Sequence, residues 1–532
     1  MDTSTGAAAN DRDPEAGRVA GLGSVGAREA AVSGLVAGAF GMASAELLAG
    51  LVPGFPSPLI AVGSLIIALQ PAGAKDLMIG LFGTSDKLAL NVAIVLLALL
   101  AAMAVGMVAR RNVAFAVVAF AGFGALSLVG AVYFEVVPWP PALVSTGIAV
   151  LAAAGTLRLL LNLVAAAAVT VETPANPFRR RFLISSVGLL SVAASAGSLG
   201  RYLLLRSHPT GVPAGAMGLP GPAVTVPPLT AGQRLSAPDL SPLVVPNDVF
   251  YRIDTSLVVP TIDASTWQLK ISGMVDNPRT YSYQDLAAMP LIEQYVTLVC
   301  VSNAVGGDLV GNALWTGVRL KEVLGMAGVQ PGATQIVGRA VDGFTVGFPT
   351  SWALDPAREP MIAMSMNHEP LPAEHGYPAR LIVPGLYGYV SATKWLAEIE
   401  LTTREALNAF WVNLGWSKDG PILTQSRIDH PQYFDEFSAG PTWVDGVAWA
   451  PDRGIVQVEV RIDDGIWNVA EMSRPISKAT WVQWMWLWQA DPGVHHIEVR
   501  ATDGAGQVQT TEHTNAEPNG ARGHHRIKVT VH

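Results

Sequence analysis

The sequence predicts a multi-domain chain with a bundle of membrane-spanning helices, then an α+β domain, then an all-β sandwich. Three observations predict it. Half of the 532 residues are hydrophobic and only 14% are charged, which is low for a soluble protein, and the apolar excess lies before about residue 205. From there on the composition is ordinary and holds nearly all the tryptophan. Past residue 418 short alternating strands with Gly- and Asp-containing turns replace a mixed pattern. A net charge of −8 and a pI near 5.7 argue against nucleic acid as a partner. The single cysteine, Cys300, rules out an intrachain disulfide framework, so burial must stabilise the folded parts.

Residues 1–28 are small, polar and charged and read as a disordered tail. In the anchor, 29–205, five segments are long and apolar enough to span a bilayer: 30–51, 88–109, 112–134, 141–169 and 182–204. The stretch 57–70 is apolar but short and bracketed by Pro56, Pro58 and Pro71, so it is expected to be re-entrant or interfacial. Arg110-Arg111 and Arg179-Arg180-Arg181 place their loops in the cytoplasm, whereas 135–140 has no basic residue and belongs outside. Alternation puts the N-terminus inside and everything after residue 205 outside, giving a multi-pass protein of the cell membrane. Arg179-Arg-Arg-Phe-Leu183 resembles a twin-arginine export signal as well as a positive-inside cluster. No histidine precedes His208, and no Cys-x-x-Cys-His occurs, so no haem is expected. The bundle is an anchor in the lipid bilayer, or a contact surface for a separate electron carrier.

Residues 206–246 are rich in Pro and Gly and read as a semi-extended linker. A catalytic domain is expected over 247–410. Trp267–Ser272 alternates like a half-buried strand, Ser282 can cap a short helix Tyr283–Met289, Val318–Ala327 is amphipathic, and Arg380–Val383 reads as a buried strand. Gln294–Val299 reads as a buried strand running out through Cys300 into a glycine-rich loop, Gly306–Asn312. A thiolate there suits a soft or high-valent metal, while a small buried hydrophobe is the plainer alternative.

The ordered set Cys300-Val-Ser-Asn303, Trp315-Thr-Gly-Val-Arg-Leu320, Asp342-Gly-Phe-Thr345, Met366-Asn-His-Glu-Pro-Leu371, His375-Gly-Tyr-Pro-Ala-Arg380, Val383-Pro-Gly-Leu-Tyr-Gly388 and Lys394-Trp-Leu396 resembles the sulfite oxidase family of molybdopterin enzymes. The resemblance spans roughly 240–532. It implies a molybdenum held by a pyranopterin dithiolene and by one protein cysteinate, Cys300, and two-electron oxygen-atom transfer on a small substrate. Cofactor contacts carry over to His375 and Arg380, to Ser391, Ala392, Thr393 and Lys394, and to Asp248, Tyr251 and Arg252, although Tyr251 equally suits a core position. Two departures follow. The paired arginine that animal and plant members carry after the cysteine is Ala304-Val305 here, and Trp416 stands for the family's catalytic tyrosine. The implied substrate is therefore a neutral sulfoxide or N-oxide, or a different oxyanion. Asn303 lines the pocket or satisfies its own loop.

Residues 411–532 read as an immunoglobulin-like sandwich. Val458–Ile462, the turn Asp463-Asp-Gly465 and Ile466–Val469 form a hairpin, and His496–Arg500 and Arg526–Val531 alternate likewise. Trp481 to Trp488 alternates in aromatics, as sandwich core or as a binding surface. In the family this domain can pair two subunits, which implies a possible homodimer. Three functions remain open at this point: an anchored oxidoreductase working with a quinone, cytochrome or other redox protein, a quinol-linked reductase of sulfoxides or oxidised methionine, and a metal-free anchored binding module.

Overall fold

A computed structural model of the protein describes residues 25–52, 54–69, 86–133, 137–169, 177–207, 211–237, 239–355 and 357–532. They form two compact units, divided after Ser207.

The first unit is helical: Ala27–Leu51, Pro58–Leu69, Asp86–Ala109, Val113–Tyr133, Trp139–Val169 and Pro177–Ser207. Five of the six are long and apolar enough to cross a bilayer. The first is the most enclosed, packing along Trp139–Val169 and Pro177–Ser207. Small residues make this possible. A Cβ on Gly34 would lie 2.1 Å from the Ala102 carbonyl oxygen, so only glycine lets the two backbones approach so closely. Large apolar side chains such as Leu97, Val118, Leu151 and Val187 face outward, the reverse of a water-soluble bundle. Pro58–Leu69, at 12 residues, is too short to span. Its start is held by buried Glu46, whose Oε1 accepts the Ser57 hydroxyl and the Leu59 N–H.

Two boundaries differ from expectation. The tail expected through residue 28 is already helical from Ala27, because alanines and Glu29 favour a first turn there; residues 1–24 lie outside the described residues. Arg179–Arg181 sit in the opening turns of the last helix rather than in a loop, since Pro177 starts that helix earlier than the apolar pattern does.

The second unit contains two central sheets and a two-sheet sandwich. One central sheet runs Arg279–Ser282, Gln268–Gly273, Leu396–Thr402, Gln335–Ala340, Thr345–Pro349. The other pairs Leu291–Val299, Val310–Arg319 and Met361–Met366, with Arg380–Ile382 on Met361–Met366. Val310–Arg319 is buried along nearly its whole length, which is why it reads as apolar rather than alternating. Ser282 caps Tyr283–Ala287 by accepting the Asp285 N–H, as its position implies. The amphipathic stretch 318–327 divides: Val318 and Arg319 close a strand, and the helix is Leu320–Ala327, ended by Gly328 at φ +69°.

In the sandwich, Gln425–His430, Gly440–Trp449, Val482–Ala490 and Glu471–Met472 form one sheet. Glu436–Phe437, His525–Val531, Gly493–Asp503, Ile455–Ile462 and Asn468–Val469 form the other. Val444, Val482, Trp484 and Trp488 meet Val458, Val460, Val499 and Val529 between them. Asp463 and Asp464 take positive φ in the predicted hairpin turn. Trp481 departs from the aromatic alternation. It is buried in the core of the central sheets, and its indole N–H donates to the Leu243 carbonyl at 3.0 Å. The proline-rich segment before residue 246 is extended and docked: Val224 bridges Ile292, and the Asn312 side chain holds Leu243.

Candidate active site

Cys300 ends the Leu291–Val299 strand. Its N–H donates to the Leu309 carbonyl at 2.9 Å, and Asn303 Oδ1 accepts the Leu309 N–H at 2.9 Å, closing the loop on itself. Asn303 is thereby buried inside the loop and does not line the cleft. Cys300 does line it. The cleft opens to solvent at its mouth and, open solvent included, spans about 840 Å³ of empty space.

Of the residues singled out from sequence, Tyr251, Arg380, Ala392, Lys394 and Trp416 share this cleft with Cys300. Arg380 opens its strand and is only 4% exposed. One guanidinium nitrogen donates to the His375 carbonyl at 3.0 Å, and the group lies 5.1 Å from the Trp315 ring centroid. Its Nε–H is buried without a partner, and burial pushes its pKa down to about 10. Lys394 donates to Asp254 at 3.1 Å and to the Glu374 carbonyl at 3.0 Å; burial pushes it down to about 8. Tyr251 stacks on Phe250 at 5.2 Å, and burial, with Cys300 nearby, raises its phenol. Trp416 stands 5.8 Å from Tyr389 and 6.4 Å from Trp411, an aromatic wall in which the Tyr389 hydroxyl is tied to the Ser417 carbonyl at 2.6 Å.

The others stand apart. His375 donates from Nε2 to the Asn247 carbonyl at 2.8 Å; burial and the Lys394 charge hold it near 3, so it is neutral. Arg252 pairs with Asp254 at 3.0 Å, on the same oxygen as Lys394. Asp248 is exposed. The Ser391 hydroxyl donates to the Tyr387 and Leu386 carbonyls, which commits it to its own helical turn. Thr393 is fully buried and its hydroxyl has no partner.

Among the lining residues that sequence reasoning missed are Asp254, Asp342 and Trp411. Asp342 stood within one of the quoted motifs without a role. Its carboxylate accepts the Phe344 N–H at 3.1 Å, and burial pushes it up to about 6. Asp254 carries no local signal, because its importance lies in pairing with Lys394, 140 residues away.

Comparison with known proteins agrees with this chemistry. Residues 256–411 match the family model described as oxidoreductase molybdopterin binding domain. Mitochondrial sulfite oxidase of Drosophila melanogaster is 29% identical over 341 residues, covering 54% of this chain and 59% of that protein. Sulfite oxidase of Arabidopsis thaliana is 28% identical, covering 51% and 83%. NADH nitrate reductase 1 of Oryza sativa subsp. japonica is 28% identical, covering 47% and 34%. The sulfane dehydrogenase SoxCD from Paracoccus pantotrophus aligns at 21% identity with a TM-score of 0.49, over 56% of this chain and 86% of that one. The chain thus spans between half and three-fifths of the length of the animal sulfite oxidases it matches.

The match implies a molybdenum cofactor, and the residues present fit one. A soft thiol, a buried guanidinium with an unpartnered N–H and an ammonium converge around one cleft. That donor set suits a group that is sulfur-ligated at one end and anionic at the other.

Proposed function

We propose that this chain, a member of the sulfite oxidase family of molybdopterin oxidoreductases, is a membrane-anchored enzyme of two-electron oxygen-atom transfer on a small substrate. One observation carries the reading: Cys300 shares a cleft with a buried arginine that no carboxylate among the described residues neutralises. An uncompensated buried cation costs several kcal/mol unless an anionic ligand completes it.

When bound, the molybdenum cofactor supplies a metal able to exchange an oxygen atom and an electron pair with substrate. The chain's own residues do the rest. Cys300 would hold the metal through its sulfur. Arg380 and Lys394, which line the cleft, would hold the anionic edge of the cofactor. Trp416, Trp411 and Tyr389 shape the mouth and exclude water. Asp342 can hold or release a proton near pH 6. The five long apolar helices and the positions of Arg110-Arg111 and Arg179–Arg181 support an anchor with its N-terminus in the cytoplasm and the catalytic part outside. A separate redox protein or quinone would then exchange the electrons, because the helices offer no histidine for a haem.

Reduction of a neutral sulfoxide or N-oxide is the second reading. It is favoured by the cleft wall, where Arg380 and Lys394 are the only cations among the described lining residues and both are assigned above to the cofactor, which leaves none for an anionic substrate. Ala304 and Val305 leave no anion clamp beside Cys300. The test is metal analysis of the full chain made in a host that synthesises the pterin, with Cys300→Ser alongside. Stoichiometric molybdenum in the parent, and loss of thiolate ligation and turnover in the variant, is the expected result; a parent without molybdenum overturns the reading. Assays against sulfite, methionine sulfoxide, dimethyl sulfoxide and chlorate separate the two directions.

A further inference from the structure

The Cys300 loop is framed from inside by Asn303 and from outside by the sandwich. The strand leading into it is hooked first: the Thr297 N–H donates to the Ala479 carbonyl at 2.9 Å, and Thr297 Oγ1 accepts the Trp481 N–H at 2.8 Å. The loop itself is then held by Arg427, from the sandwich strand Gln425–His430. Its three guanidinium nitrogens reach three segments. One donates to the Gly307 carbonyl at 3.0 Å, one to Ser241 Oγ at 2.9 Å, and Nε to Asp429 at 2.6 Å. The side chain is 11% exposed. Beside it, His525 closes on Gly306, which sits at φ +77°; a Cβ on Gly306 would lie 2.2 Å from the imidazole. The ring is fixed by accepting the Ile428 N–H on Nδ1 at 3.0 Å, so both contacts rest on the same strand.

We propose that Arg427 is a positioning residue for Cys300: acting through Gly307, it fixes the loop that aims the sulfur into the cleft. The proposal rests on the reading of Cys300 as the metal's thiolate. Arg427 lines no part of the cleft, so it reaches neither substrate nor cofactor. Val301 and Leu309 are buried near the two ends of the ten-residue loop, but its middle, Ala304–Asp308, is partly exposed and has little burial to stiffen it. A metal ligand must nevertheless be held to about 0.5 Å. A planar guanidinium supplies three donor directions at fixed angles, which an ammonium on a flexible stem cannot reproduce. Arginine is therefore specified here by geometry as well as by charge.

The test uses the full chain, cofactor-free and loaded, with Arg427→Gln, Arg427→Lys and, as a matched control, Arg500→Gln. Arg500 belongs to the opposite sheet of the same sandwich and pairs with Glu459 at 2.8 Å. Because Cys300 is the sole thiol, alkylation by iodoacetamide reports on it alone. In cofactor-free protein the alkylation rate is expected to rise about tenfold in Arg427→Gln and several-fold in Arg427→Lys, with no change in Arg500→Gln. In loaded protein at equal molybdenum content, the thiolate-to-molybdenum absorption band should shift and kcat fall about tenfold while KM stays within about twofold. Rates within about twofold of the parent in both Arg427 variants, with an unshifted band, overturn the proposal, as does an equal rise in Arg500→Gln. If Arg427→Gln does not fold, Arg427→Lys decides. A parent that takes up no molybdenum defeats the cofactor reading alone, and the alkylation contrast still settles the role of Arg427.

Discussion

Among the places in the second unit that stack guanidinium on indole, two are completed differently. On the sandwich, Trp467 lies between Arg461 and Arg500, at 4.6 and 4.2 Å. Each arginine has its own carboxylate, Glu498 at 2.8 Å and Glu459 at 2.8 Å, and the group is partly wet. In the cleft, Arg380 lies over Trp315, deeper, with a backbone carbonyl for one nitrogen and no partner for Nε. The first arrangement is complete as it stands. The second is a buried charge that no carboxylate among the described residues pairs with, and an arginine cannot escape that condition by losing its proton near neutral pH.

Asp445 sharpens the contrast. It is fully buried with both oxygens unpartnered, but a carboxylate can escape by protonation, and burial pushes it up to about 8. An orphaned acid therefore argues less for a ligand than an orphaned arginine does.

Replacing Arg380 should have the largest effect, and with opposite signs. Arg380→Met is expected to weaken cofactor retention about 100-fold, read as molybdenum lost on dialysis, while raising the melting midpoint of the cofactor-free protein by about 2–4 °C. A fall in both would mean that Arg380 is already satisfied in the empty fold, and the contrast would break. Next comes pH. Lys394, held near 8 against an ordinary 10.5, loses its charge as pH rises through 8, so retention should drop by about tenfold between pH 7 and pH 9. The unfolded chain keeps that proton up to about 10.5, so between 8 and 10.5 it binds more protons than the native state. The Lys394 contribution to cofactor-free stability consequently rises with pH in that window. Lys394→Met should abolish both trends in titration-coupled melts.

Asp445→Asn should stabilise the protein by about 4 °C at pH 8 and hardly at all at pH 4. Native Asp445 keeps its proton up to about 8 while the unfolded carboxyl gives it up near 3.8, so the cost of the native acid grows across that interval. A pH-independent shift would place the effect in packing instead. Smallest of all, Arg500→Met should cost less than about 1 kcal/mol in denaturant melts, as partly exposed ion pairs do.

The helices, the order of the parts, the cysteine and its two main cationic neighbours were legible because each leaves a local mark: a run of apolar residues, a lone thiol, an arginine opening a buried strand. What stayed hidden was pairing across distance. Asp254 matters through Lys394, and Arg427 through Gly307, 120 residues away, and neither spacing is encoded locally. Ser391 and Asn303 looked like ligands by type, but their hydrogen-bonding capacity is taken by adjacent backbone. Polar side chains in tight loops meet that competition first.

Trp481 has a consequence for anyone who would treat the C-terminal part as a detachable module. Its indole belongs by sequence to one layer and by burial to another, clasping the Leu243 carbonyl beneath the central sheets. A chimera that exchanged the sandwich for a foreign one would pull the plug from its neighbour's interior. Melting of the two layers should accordingly occur together, as one cooperative event.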